Sequence, residues 1–420
     1  MKFARSSSAE GRSFALFGLG QCARSILWST VDLLIGYHFI ERTGLSGKMA
    51  GAILFATVLI SAFPDMFIAQ WLAGRRDPQR AALKAQAWFG LLAALLALLL
   101  FGPKPEGTVA AIVYICVTSV LFRFAYAAYD VSQNALISLL PADGSDVARY
   151  TTNKTVMASV GRLIASLLIF AALLSPSDAL ADMKLLAITI LPIAASGFGL
   201  ARLARGPVPA RMSMETASWR ALPYRRLMPP IIATFFHYGM LGAASRFLAL
   251  HGDPAAGSGL AGSLVISMVT GTIIGPFLEQ RLAASVDKSM IVGSLGAVAA
   301  ISGIALALPF AGAALLVLAM IYGTATSGMA NLIWERVGTI AHDHRIRTGG
   351  QIDAPAFALL TTSLKLAIAL STLIFGLLIE PYRQGMPMAA WAMGAILLLG
   401  AVGTWGALRH SHGQRACILT

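Results

Sequence analysis

The chain has 420 residues, 57% of them hydrophobic and only 12% charged, with a mean hydropathy of +0.73. A water-soluble protein of this length needs more charge on its surface, so a soluble enzyme is excluded and an all-α polytopic membrane protein is expected. The net charge of +13 would fit a nucleic-acid binder, but its placement along the chain argues against one.

Met1–Arg12 is polar and basic, and the apolar run after it is too long for the core of a cleavable signal. Crossing about 30 Å of hydrocarbon takes roughly 20 residues. Twelve runs of that kind are predicted, at 13–40, 46–73, 82–101, 108–140, 152–175, 183–203, 227–250, 258–284, 288–309, 311–335, 354–380 and 386–408. Gly102-Pro103, Ser175-Pro176, Asp253-Pro254 and Glu380-Pro381 all fall in connections, where helix breakers belong.

Of the 32 Lys and Arg residues, 22 lie in or next to the N-terminus, the connections after even-numbered runs, and the C-terminus. Five lie in or next to the opposite connections and five deep within runs. By the positive-inside rule both termini are cytoplasmic, in a multi-pass protein of the cell (inner) membrane. The basic balance is therefore topological, and no nucleic-acid partner is expected.

The longest connection, 204–226, divides the chain into an N-terminal six-helix bundle (1–203) and a C-terminal one (227–420). A weak repeat crosses it: Pro64 matches Pro276 and Arg76 matches Lys288, at an offset of 212 residues. Two six-helix repeats are the plan of the major facilitator fold.

Charges inside apolar runs are expensive and mark ion or substrate paths. Asp65, Asp130 and Lys365 each lie nine to eleven residues from a cytoplasmic end, a depth of roughly 13–17 Å at the helical rise. Arg24 and Arg162 reach a similar depth. In the first run, Gln21, Arg24, Trp28 and Asp32 follow helical spacing; in the fourth, Arg123, Tyr126, Asp130 and Asn134 do the same. Each stripe should face a cavity, with Trp28 and Tyr126 offering an aromatic plane beside Arg24, Asp130 and Asn134. A carboxylate at such depth can bind a cation or change protonation, which is the chemistry of ion coupling. Permanent structural pairing is the competing reading for any one of these charges.

Asp32 and Arg246 fall near the outer ends of the first and seventh runs and form a candidate gate pair; two unrelated outer-surface charges are the alternative. His237 in the seventh run is either a packing histidine or part of the cavity. His342 and His344, with Asp343, Arg345 and Arg347, read as a solvated cytoplasmic loop rather than a metal site. Cys22, Cys116 and Cys417 show no metal or redox spacing.

Four segments resemble the glycoside–pentoside–hexuronide cation symporters, the melibiose permease-like group of the major facilitator superfamily. They are Phe17-Gly18-Leu19-Gly20 through Ala23-Arg24, Ser61-Ala62-Phe63-Pro64-Asp65, Tyr129-Asp130-Val131, and Thr348-Gly349 to Asp353-Ala354 followed by Lys365-Leu366. The resemblance covers nearly the whole chain. It implies cation coupling at Asp65, Asp130, Lys365 and the Ser61 position. The candidate substrate-binding residues are those of the two stripes, Arg24, Trp28, Tyr126, Asp130 and Asn134, together with Ser25 and His237. Departures accompany the resemblance. Ser61 stands where the family carries the first aspartate of its helix 2 pair, Ser25 where it carries an acid, and Asn134 where it carries a sugar-stacking aromatic residue. One carboxylate fewer favours a proton over Na⁺ as the coupling ion.

The expected function is secondary active transport, as proton-coupled symport of a small polar solute, a glycoside or another metabolite, by alternating access. An exporter of a metabolite or drug-like compound is the alternative on the same fold. An integral membrane enzyme is the alternative of another class, although no HExxH, GxSxG, phosphate-cradling glycine loop or Cys/His cluster occurs. The expected partners are the solute and the lipid bilayer, with no cofactor, no metal, and a monomeric state.

Overall fold

The computed structural model describes residues 8–37, 47–102, 105–141, 144–173, 179–203, 219, 222–250, 259–306, 313–383 and 387–416. These residues form helices α1 (Ser8–Tyr37), α2 (Gly47–Ile60), α3 (Ala62–Ala73), α4 (Pro78–Phe101), α5 (Thr108–Leu139), α6 (Gly144–Leu173) and α7 (Ala179–Leu203). After the central connection come α8 (Tyr224–Leu250), α9 (Gly259–Leu282), α10 (Lys288–Leu306), α11 (Ala313–Thr348), α12 (Asp353–Arg383) and α13 (Pro387–Ala416). Since α2 and α3 are two parts of one predicted run, twelve helices answer the twelve runs. No strand occurs among the described residues.

Eight described segments are long and apolar enough to cross a membrane, and 187–203 and 290–306 are shorter apolar helices. Neither α1 nor α6 is among them. Both carry charges within their length, Arg24 and Asp32 on α1 and Lys154 and Arg162 on α6. Side chains such as Phe67, Val109, Leu191 and Leu377 are exposed, as a lipid-facing surface requires.

Local chemistry sets the helix ends. Pro64 has no N–H to give to the carbonyl four residues back, and the helix is interrupted at Ser61 between α2 and α3. The matching Pro276 lies inside α9, which stays continuous. Asp77 caps α4 by accepting from the Arg80 amide at 2.9 Å, with Pro78 at the first helical position. Gly349, at φ 72°, ends α11 in the left-handed conformation that glycine adopts without strain.

The segment expected as a solvated loop around His342 is helix. α11 runs on to Thr348, and His342 is buried. Its helical face finds partners: Arg345 pairs with Asp353 at 2.9 Å, donates to the Ser138 carbonyl at 2.6 Å, and meets His342 Nδ1 at 3.0 Å. These bonds supply what water would otherwise provide.

The chain forms two compact units. The first comprises Met1–Gly44, Phe63–Leu222 and Gly338–Ala358; the second comprises Leu45–Ala62, Pro223–Val337 and Leu359–Thr420. In the first, α4 packs on α5 and α7, and α1 on α6 and α7. In the second, α13 packs on α8 and α10. Between lipid-immersed helices there is little hydrophobic drive, so close backbone approach takes its place. A Cβ on Gly161 of α6 would run into the Cys22 carbonyl of α1. In the second unit, a Cβ on Gly271, Gly275 or Gly323 would collide with backbone across the α9–α11 seam.

Candidate functional site

The polar stripes of α1 and α5 meet inside the first unit. Arg24 forms a buried ion pair with Asp130. Its Nη1 donates to Asn134 Oδ1 at 3.1 Å and its Nη2 to Gln21 Oε1 at 2.8 Å. Asn134 Nδ2 closes the ring by donating to Asp130 Oδ1 at 3.1 Å. Arg24 and Asp130 are each only 7% exposed, so this pair sits in low dielectric, where it is strong but costly to break. Beyond it, Trp28 lies over Tyr126 with ring centroids 4.7 Å apart and planes tilted by 34°. The Arg123 guanidinium covers the other ring at 5.0 Å from the Trp28 centroid, within cation–π range. Tyr129 donates to the Gly20 carbonyl at 3.2 Å and ties α5 to α1.

Asp65 is fully buried at the start of α3. The charges of Arg24, Asp65, Arg123 and Asp32 all act on Tyr126. Asp32 is half-buried and acts on Arg123. Arg246, its expected gate partner, lies on α8 with a side chain outside the described residues. Ser25 turns to α6, its hydroxyl donating to the Ala158 carbonyl at 2.5 Å, so that hydroxyl is engaged in helix packing.

In the second unit, Lys365 is buried and its Nζ donates to the Ser61 carbonyl at 3.1 Å. The interrupted helix leaves carbonyl groups open to such a donor. The Ser61 hydroxyl itself returns to the Val58 carbonyl at 2.6 Å. His237 is fully buried and its ring meets Tyr238 edge-on at 4.9 Å, while Trp334 Nε1 donates to the Tyr238 hydroxyl at 2.9 Å.

Sequence reading missed three features. Lys154 on α6 is buried, 5% exposed, close enough to Arg24 and Arg162 for their charges to act on it. Its spacing of eight residues from Arg162 was the available signal, since both fall on one helical face with Ala158. Glu279 on α9 is buried and accepts from Asn331 Nδ2 of α11 at 2.8 Å, beside the Lys288–Glu335 ion pair. The Arg345–Asp353 clasp is the third. Among the described residues no group of three His, Cys, Asp or Glu side chains is placed to hold a metal ion.

This arrangement of helices is that of a major facilitator protein. A bacterial homologue of the iron transporter ferroportin, crystallised in an outward-facing state, matches with a TM-score of 0.66 and 14% identity, over 94% of this chain and 99% of that one. The fucose:proton symporter FucP of E. coli matches with a TM-score of 0.64 and 15% identity, over 94% and 98%. At such identities the likeness is one of fold. The chain matches the family described as MFS/sugar transport protein over residues 16–395 and belongs to it. That membership sets aside the membrane-enzyme alternative. An uncharacterized symporter of Bacillus subtilis (strain 168), YnaJ, is 23% identical over 149 residues, 35% of this chain; the match spans about a third (32%) of that relative's length.

Proposed function

We propose that the protein is a secondary active transporter that moves a small polar solute, such as a glycoside, together with a proton by alternating access. In this reading it is a monomer of the inner membrane with both termini cytoplasmic, and its halves, 1–203 and 227–420, are the moving bodies. The carrying observation is the buried Arg24–Asp130–Asn134 ring beside the Trp28–Tyr126 stack. The stack offers an aromatic plane to a solute ring, and the guanidinium and amide offer hydrogen bonds. Protonation of Asp130 cancels its attraction to Arg24 and frees the guanidinium for solute oxygens, which links the proton to the cargo. Asp65, fully buried and acting on the same Tyr126, is the second coupling carboxylate. Lys365 is a buried positive charge of the second unit. The FucP likeness and the relationship to a Bacillus symporter support coupling to an ion, and one carboxylate fewer than the family pattern supports a proton.

Proteoliposomes test this reading. Asp65→Asn and Asp130→Asn are expected to abolish uphill, gradient-driven accumulation while solute counterflow persists. Full accumulation in either variant removes that residue from the coupling site.

A further inference from the structure

We propose that the lipid-facing seam between α4 and α7 binds one anionic phospholipid, its phosphate held by Lys84 and Arg202 and its glycerol region lying against Trp88. The site is outside the solute cavity and stands whatever the cargo.

Two close approaches set the register of the seam. A Cβ on Gly197 of α7 would stand 2.8 Å from the Ala87 Cα of α4, and a Cβ on Gly90 of α4 would stand 2.9 Å from Ile193 Cγ2 of α7. One number rises as the other falls, so the helices run antiparallel, with their backbones in contact at Gly197. On this register Lys84 is level with Leu200, and Arg202 lies two residues further, about 3 Å along the axis. The side of the seam is fixed as well. Trp88 meets Phe198 edge-on, with ring centroids 5.1 Å apart. Lys84 is one turn before Trp88 and Arg202 one turn after Phe198, so both follow the side of that aromatic pair. Both cations are exposed, and Trp88 is 64% exposed.

No acid of either helix lies near these cations. α4 has none, and the one acid of α7, Asp182, is at its opposite end. Asp77, which caps α4, pairs with Arg80. In the other direction the face is apolar. Leu95 is seven residues beyond Trp88, Leu191 is seven before Phe198, and both are exposed.

Two cations at one level, then an aromatic pair, then aliphatic side chains follow the order of phosphate, glycerol and acyl chains in a phospholipid. An indole suits the glycerol level, where its ring meets hydrocarbon and its N–H meets ester oxygens. Basic side chains between spanning helices hold the head groups of negatively charged lipids. A zwitterionic head group brings its own ammonium against the same two cations; an anionic one brings only the phosphate. In the orientation proposed above, this end of the seam faces the cytoplasmic leaflet.

Tryptophan quenching in bilayers tests the site. The full-length protein is reconstituted in dioleoyl phosphatidylcholine with increasing fractions of brominated phosphatidylglycerol or brominated phosphatidylcholine. The chain has seven tryptophans, and subtracting the signal of Trp88→Phe in each background isolates Trp88. Half-quenching of Trp88 is expected at about a tenfold lower fraction of brominated phosphatidylglycerol than of brominated phosphatidylcholine, from two interfacial cations acting together. Lys84→Gln combined with Arg202→Gln is expected to bring the two lipids within about twofold of each other, while Lys84→Arg keeps the preference. Arg75→Gln is the control. That guanidinium lies over the Trp71 ring of α3, 4.4 Å from its centroid, and its loss should leave the preference at Trp88 unchanged. Quenching of the other six tryptophans by brominated phosphatidylcholine checks that each variant is folded.

Equal half-quenching by the two lipids overturns the proposal. A preference that survives the double substitution does so too, because Lys84 and Arg202 would then not hold the phosphate. An equal loss in Arg75→Gln also overturns it, by assigning the preference to the general positive charge of that membrane face. Loss in the double variant alone, with Lys84→Arg and Arg75→Gln unaffected, is the result that the seam requires.

Discussion

In the first unit a buried carboxylate, Asp130, meets a buried guanidinium and an amide; in the second, Glu279 meets the amide of Asn331, while the nearby Lys288 is taken by Glu335. Both acids lie on spanning helices and both are almost inaccessible. Their surroundings ask different things of them. Asp130 belongs to a set of full charges, whose balance would change on protonation in the proposed reading. Glu279 accepts a hydrogen bond from an uncharged amide, that of Asn331. Depth in the membrane therefore does not by itself make a carboxylate a switch; a partner that depends on its charge does.

The largest expected effect separates the two cases. Arg24→Ala should cost about 3–5 kcal/mol of stability, because it strands Asp130 as an uncompensated buried charge. Replacing both members, Arg24→Met with Asp130→Leu, should recover most of that loss, since no buried ion remains. Chemical unfolding of the reconstituted protein measures both. A loss below about 1 kcal/mol in Arg24→Ala, the size typical of exposed pairs, would place the pair in water.

A middle-sized effect is expected at the aromatic stack of the first unit. Trp28→Ala should weaken solute binding by about 0.5–1.5 kcal/mol beyond the lost contact area. Counterflow at varied solute concentration reads this as a raised half-saturation value. Unchanged half-saturation would confine Trp28 to packing against Tyr126 and Arg123.

Glu279→Gln sharpens the comparison from the other side. A glutamine oxygen accepts from Asn331 as the carboxyl does, so the cost should stay under about 1 kcal/mol. Destabilisation as large as that of Arg24→Ala would mean that Glu279 is held as an ion by Lys288, and the two units would be alike.

Much of this was legible in the sequence. Twelve apolar runs gave twelve helices with end shifts of a few residues at most places, because lipid imposes length and composition directly. The stripes Gln21–Arg24–Trp28 and Arg123–Tyr126–Asp130–Asn134 were visible because one helix carries each, and helical period brings them to one face. Lys154 was hidden by its place near the start of the predicted run 152–175, where it counted among the cytoplasmic basic residues. Glu279 and Asn331 are 52 residues apart on different helices, and no local pattern announces their meeting. Around His342 the reading failed for the same reason. A stretch rich in charge looks like a solvated loop until tertiary partners, here Asp353 and the Ser138 carbonyl, are known.

The glycine seams have a consequence for how this sequence can change over time. Where helices touch backbone to backbone, no side chain is present to adjust, so substitution is close to all-or-none. Gly161, Gly271, Gly275 and Gly323 should admit almost no replacement, even by alanine, which composition alone would rate harmless. Gly394 and Gly406, with nothing within 4 Å of an added Cβ, should drift freely. A saturation library selected for expression would then show two narrow lines of fixed residues through otherwise permissive helices. Those lines trace the joints of the protein without reference to any solute.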